Sequence, residues 1–130
     1  MMKIKRLTPE LIVKNIRESV NFYMETLGFE LTNSVGEDNL VWANVMWPGS
    51  EVGIMFMTPE SMGEEIAELK TKSIGGSVVQ YIELEGLDEL YERVKDKAEI
   101  VAEKHTTFYG SKEFSIKDNS GYVLMFSEKV

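Results

Sequence analysis

Few side chains in this sequence are equipped for chemistry. A single imidazole, His105, stands in Lys104-His105-Thr106-Thr107-Phe108-Tyr109-Gly110, and cysteine is absent. Without thiols there is no disulfide framework, no thiolate zinc site and no cysteine nucleophile. A lone histidine in a loop-like stretch has two readings: an exposed, hydrogen-bonded residue, or a general base at a pocket mouth. Carboxylates supply the other candidates. Glu10 and Glu83 lie in strand-like segments, where burial would raise a carboxyl pKa and suit it to proton abstraction or to holding a cation. Glu113 joins them as a remaining acid, base or ligand candidate. The sequence carries no glycine-rich phosphate loop, nucleophile elbow or paired metal motif.

The elements that must position these groups form a repeat. Leu11-Ile12-Val13 runs into Asn15-Ile16-Arg17-Glu18-Ser19-Val20-Asn21-Phe22-Tyr23. About 70 residues later Tyr81-Ile82-Glu83-Leu84 runs into Gly86-Leu87-Asp88-Glu89-Leu90-Tyr91-Glu92-Arg93-Val94. Each is a short strand pattern passing directly into an amphipathic helix. Ile16, Val20, Tyr23 and Leu27 share one helical face, as do Leu87, Leu90, Tyr91 and Val94. Asn15 is a favourable N-cap with Glu18 three positions on, and Gly28 suits the stop. Strand patterns follow in both halves: Phe29 to Thr32, Leu40 to Met46 and Val52 to Met57 in the first, Ile100 to Ala102, Glu113 to Lys117 and Tyr122 to Phe126 in the second. Between them Thr58-Pro59 opens an acidic helix-like stretch reaching about Leu69, followed by Gly75-Gly76-Ser77.

Each half therefore reads β-α-β-β-β. The expected fold is α+β, two tandem βαβββ modules forming a curved mixed sheet around a cavity, with helices on the outer face. The expected division is residues 1–57 for the first module, 58–77 for a linker helix and Gly-rich link, and 78–130 for the second. A chain of 130 residues, 43% apolar and 28% charged, is long enough to bury such a core without staples. Its 14 basic and 22 acidic residues leave a net charge of −8, with no basic stripe, which argues against nucleic acid as a partner. The longest apolar runs fall far short of a membrane span. Met1-Met2-Lys3-Ile4-Lys5-Arg6 has no apolar stretch behind it, so no secretory signal is expected and the expected location is cytoplasmic.

The segments Leu11 to Tyr23 with Leu27-Gly28-Phe29, and Lys117-Asp118-Asn119-Ser120-Gly121-Tyr122, resemble the vicinal-oxygen-chelate superfamily of glyoxalase I, bleomycin-resistance proteins and extradiol dioxygenases. The first resembles that family's strand-to-helix signature and the second its closing hairpin, with Asn119 where proline is usual. The resemblance covers nearly the whole chain. It implies metal ligands on inward strand positions, which fall at Thr8, Met55, Val79 and Met125. A divalent cation that polarises a carbonyl needs imidazole nitrogen or carboxylate oxygen. A hydroxyl, a hydrocarbon and two thioethers are poor substitutes. The reading is that no metal is bound and no cofactor is used.

Alternation along the strands then assigns the cavity face implied by the resemblance. Met55 brings Gly53 and Met57; Met125 brings Val123 and Ser127; Val79 brings Tyr81 and Glu83; Thr8 brings Glu10 and Ile12. Leu11, Val13, Val52, Ile54, Phe56, Ile82, Leu84, Leu124 and Phe126 belong under the helices. Trp42 is expected toward the cavity or a subunit contact, and Trp47 on the other side. Phe108 and Tyr109 offer large rigid surfaces for a flat guest. The candidate ligand-binding residues are Trp42, Met55, Met57, Tyr81, Glu83, Phe108, Tyr109 and Met125. The methionines either adapt to a guest or fill the space a metal site would take, and either aromatic pair would equally close a dimer interface.

Two functions follow. One is a metal-free small-molecule-binding protein, like the bleomycin-resistance members, taking an aromatic or cationic ligand in an apolar cleft. The other is a glyoxalase-like lyase or isomerase, or a dioxygenase-related enzyme, using a displaced metal or a carboxylate base. A homodimer is implied by the resemblance.

Overall fold

The computed structural model describes residues 1–130. The chain forms two compact units, Met1–Lys72 and Ser73–Val130. Both repeat one plan, a helix over a four-stranded mixed sheet, as the tandem βαβββ reading requires.

In the first unit β1 (Glu10–Ile12), β2 (Glu30–Val35), β3 (Trp42–Met46) and β4 (Gly53–Met57) form a sheet in the order β1-β4-β3-β2. β1 runs parallel to β4, setting Glu10 beside Met55 and Ile12 beside Met57. The return from β1 is made by α1 (Ile16–Asn21), which continues as a π-helical segment through Phe22–Leu27. Asn15 caps its start, its side chain accepting the Glu18 amide at 2.9 Å. Gly28 ends it at φ 97°, with the Gly28 and Phe29 amides both donating to the Tyr23 carbonyl. A left-handed glycine closing a helix in this way satisfies carbonyls that would otherwise be orphaned. The apolar face of the helix covers Leu11, Ala43, Val45, Ile54 and Phe56, all buried. Tyr23 sits at the centre, 5.1 Å from the Phe56 ring and 5.6 Å from Phe29. Trp47 packs edge-on against Phe29. Val52 departs from the sequence reading: it precedes β4 and is exposed, because strand alternation begins only at Gly53. α2 (Pro59–Glu65) and a 3-10 turn (Ala67–Thr71) complete the unit. Thr58 and Ser61 cap α2 reciprocally.

The second unit has the order β5-β8-β7-β6, from β5 (Val79–Glu83), β6 (Glu99–Thr106), β7 (Ser111–Lys117) and β8 (Val123–Lys129). α3 (Leu87–Val94) makes the parallel crossover between β5 and the rest. It starts at Gly86, and the Glu128 carboxylate on β8 accepts the Gly86 and Leu87 amides at 3.1 and 3.0 Å. A side chain from the sheet thus replaces the missing local cap. Leu87 and Val94 are buried over Phe114, Ile116, Leu124 and Phe126. Tyr91 stands edge-on to Phe114 at 5.1 Å. The β7–β8 hairpin closes on Asp118, whose Oδ1 accepts the Ser120 and Tyr122 amides at 2.9 Å each, with Gly121 at φ 92°. The aspartate fastens the turn from both sides, so Asn119 serves where a proline would fix only one dihedral.

His105 corrects the sequence reading. It lies within β6, not in a loop, as the cross-strand neighbour of Glu113.

Candidate functional site

Each sheet has one face under its helix and one face without it, and the polar chemistry collects on the second. In the first unit this open face carries Glu10, Met55, Met57, Asn44 and Trp42, because the register aligns Glu10 with Met55 and Asn44 with Met55 across the two ladders. Met57, Trp42, Val35, Val41 and Thr58 line a cavity of about 550 Å³, together with Glu10, Glu60, Ser61, Glu64 and Glu65. The apolar part comes from the sheet and the strand ends. The acidic part comes from Glu10 and from α2, with Glu60 in its first turn and Glu64 and Glu65 at its end. Burial pushes the Glu10 carboxyl up, and the nearby charge of Glu65 pushes it further. Four carboxylates beside a tryptophan and a methionine make a pocket suited to a flat molecule with positive charge. Sequence reasoning placed Trp42, Met57 and Glu10 on this face; it had no means of placing Glu60, Glu64 and Glu65 there, since that depends on where α2 folds back. Met55 is half-buried in mid-strand.

In the second unit the open face is crossed by one row of polar residues. The register sets His105 beside Glu113, Glu113 beside Ser127, and Ser127 beside Glu83. Glu113 is buried at 3% exposure. Its Oε2 accepts three hydroxyl hydrogen bonds: from Tyr109 at 2.8 Å, Ser127 at 3.0 Å and Tyr81 at 3.1 Å. Burial works against the charge, yet the three hydroxyls and the neighbouring His105 together hold Glu113 below the usual carboxylate range. The bond to Glu113, and then burial, push the Tyr109 phenol up. Every donor aimed at Oε2 stabilises the anion and weakens the carboxylate as a base. His105 gives its Nδ1 to the Glu103 carbonyl at 2.7 Å. Since a carbonyl only accepts, Nδ1 carries a proton.

The remaining candidates lie around this row. Tyr81 and Tyr109 are half-exposed, Phe108 is fully exposed at the β6–β7 turn, Glu83 is exposed at the end of β5, and Met125 is half-buried on β8 beside Tyr81. The role of Glu113 as the anchor of Tyr81 and Tyr109 was missed in the sequence. The available signal was its alternation with Ser115 and Lys117, which puts it on the open face.

Thr8 precedes β1, Met55 and Met125 lie in mid-strand, and Val79 is exposed at the start of β5. This donor set, with two thioethers, a hydrocarbon and a hydroxyl, does not fit a hard divalent cation. Nor do any three imidazole or carboxylate groups come together in a metal-holding arrangement. No helix is long and apolar enough to cross a membrane.

Comparison with known proteins gives concordant matches. The model of the Glyoxalase/Bleomycin resistance protein/Dioxygenase superfamily matches residues 3–126. A bleomycin resistance protein of Geobacillus stearothermophilus is 25% identical over 130 residues, covering 94% of this chain and 95% of the relative. A crystal structure of a superfamily member from Sphaerobacter thermophilus DSM 20745 superposes with a TM-score of 0.79 at 18% identity, covering 99% of this chain and 100% of that one. TnmS3, an antibiotic binding protein from Streptomyces sp. CB03234, superposes at 0.76 with 16% identity and full coverage of both chains. At these identities the two structures speak to the fold.

Proposed function

The chain belongs to the Glyoxalase/Bleomycin resistance protein/Dioxygenase superfamily, and from that premise we propose that it is a metal-free binding protein which takes a flat, cationic small molecule in the acidic cavity of its first unit. The observation that carries this reading is the lining of that cavity, in which Trp42 and Met57 face Glu10, Glu60, Glu64 and Glu65. Trp42 supplies a rigid stacking surface, and Met57 adjusts to the outline of the guest. The glutamates attract a cation from solution and hold it in a partly desolvated setting, where their charge acts more strongly than in water. No bond need be made or broken. The residues at Thr8, Met55, Val79 and Met125 support the same reading through their chemistry, since a hydroxyl, a hydrocarbon and two thioethers are poor ligands for a cation that would polarise vicinal oxygens. The relative named for bleomycin resistance and the antibiotic-binding TnmS3 agree with a sequestering role. The enzymatic alternative uses a displaced metal or a carboxylate base, and the hydrogen-bonded Glu113 anion is ill suited to the second role. A homodimer goes with the binding reading; sedimentation velocity of the purified chain tests it.

Trp42 and Trp47 are the two tryptophans of the chain. Trp47→Phe therefore leaves Trp42 as the sole reporter while keeping a ring against Phe29. An acridinium dye should quench its fluorescence saturably, and Glu64→Gln should weaken the dye about fivefold, the effect of roughly 1 kcal/mol of lost charge attraction. A dye response that is linear and equal to that of the neutral acridan would overturn the proposal.

A further inference from the structure

The turn between β6 and β7 places a fully exposed phenylalanine at its tip. Phe108 and Tyr109 sit between Thr107 and Gly110, and the turn is tightly closed. The Thr107 amide donates to the Ser111 carbonyl at 2.7 Å, the Ser111 amide returns to the Thr107 hydroxyl at 3.0 Å, and Gly110 takes φ 84°. The Phe108 and Tyr109 rings meet edge to face, with centroids 5.1 Å apart and planes at 85°. They form a corner of two nearly perpendicular aromatic surfaces. Tyr81, half-exposed on β5, reaches the same Glu113 oxygen as Tyr109, so a third ring is tied to the same point.

Beneath these rings lies a buried negative charge that no lysine or arginine pairs; the basic group beside it is His105, its cross-strand neighbour. The ion pairs of this unit join Asp88 to Lys104 and Lys112, Glu92 to Lys95, and Glu99 to Lys117; none reaches Glu113. Its three donors are neutral hydroxyls. They crowd onto Oε2 and leave its charge in place. A phenol that donates to a carboxylate also gains electron density in its ring, which strengthens the negative ring face that attracts cations. Glu83, next to Ser127 in the same row, adds a second carboxylate at the margin.

We propose that Phe108, Tyr109 and Tyr81, held in place by Glu113, form a second binding site that accepts an alkylated ammonium group. Aromatic surfaces over a fixed negative charge select for such ions because an alkylated ammonium is weakly hydrated and loses little on leaving water. A small inorganic cation keeps its water and gains nothing from ring faces. Glu113 is a positioning residue here, acting through the Tyr109 and Tyr81 hydroxyls that it holds. The proposal does not draw on the cavity of the first unit, and either can fail without the other.

The test is an amide NMR titration with choline and with 3,3-dimethylbutan-1-ol, which has the same shape and no charge. Choline should shift the amides of residues 107–113 and 79–83 saturably, and bind at least about tenfold more tightly than the alcohol. Phe108→Leu changes a fully exposed side chain, so the fold is kept, and should weaken choline about fivefold. Tyr109→Phe retains the ring but releases the anchor, and should weaken choline as well. Glu92→Gln on α3 removes one carboxylate charge away from the rings and should leave choline binding unchanged. Equal binding of the alcohol, shifts confined to the first unit, or an unaltered response in Phe108→Leu would each overturn the site. Glu113→Gln removes the charge beneath the rings and should weaken choline too; should it fail to fold, the Phe108 variant decides alone.

Discussion

Tyr109 and Glu113 lie four residues apart across the β6–β7 turn and meet through a 2.8 Å hydrogen bond from phenol to carboxylate. The contact joins a turn that carries the fully exposed Phe108 to the buried charge of Glu113. It makes the turn's conformation depend on an anion. Because Glu113 is held below its ordinary value, the stabilisation it provides is complete above that value and disappears as pH falls through the lower folded one. Urea unfolding at pH 7, 5, 4 and 3 should show stability declining at the acid end. Glu113→Gln should be less stable at pH 7 by about 1–3 kcal/mol and should flatten that decline. A mutant curve parallel to the wild-type curve would show that Glu113 does not carry it.

The same bond can be read from the phenol. Tyr109 is pushed up by Glu113, so its neutral form is favoured in the folded chain, and the stabilisation is lost as pH rises through the raised value. In an ultraviolet titration Glu113→Gln should bring one tyrosine back toward its ordinary range. Tyr109→Phe should remove that same transition, which assigns it.

Glu10 behaves in the opposite sense. Burial and Glu65 disfavour its charge, so the folded chain gains from its protonation at low pH and bears a cost once it ionises. Glu10→Gln should therefore raise the melting temperature at pH 7 slightly while weakening an acridinium dye in the cavity. The measurements are a thermal melt and a fluorescence titration on the same sample. A variant that loses both stability and affinity would mean that Glu10 is structural.

Phe56 is fully buried, with its ring against Tyr23 under α1. Phe56→Ala should cost about 3–5 kcal/mol in urea unfolding, the transfer of a ring plus the cavity left behind. Asn15→Ala removes one cap bond at the start of the same helix and should cost about 1 kcal/mol. The ordering of these two variants is the check on which interaction dominates the first unit.

The sequence carried those features that depend on near neighbours. The cap at Asn15, the stop at Gly28, the four-residue spacing of Ile16 and Val20, and the alternation of Ile54 with Met55 are all local, and the structure follows them. His105 was read as loop because Lys104 and Thr106-Thr107 give it no apolar alternation. Its strand is held by pairing with β7 across register shifts between Ile100 and Ala102 and between Ala102 and His105. A bulge changes which side chains share a face, and no window of sequence reports it. Glu113 was visible as a carboxylate, but its partners come from β5, β8 and a turn, brought together only by the sheet. The acidic wall of the cavity is similar: Glu60, Glu64 and Glu65 look like an ordinary solvated helix until α2 is placed near Glu10.

In both sheets the strand that closes the unit is an interior one. β8 lies between β5 and β7, and its Glu128 also fastens the first turn of α3. During synthesis β5, α3, β6 and β7 therefore leave the ribosome with no partner for β5 and an uncapped helix. β5 gains its place in the sheet only when Val123–Lys129 has emerged, and truncation within this strand would remove the partner of both β5 and β7, where loss of an edge strand would remove one ladder.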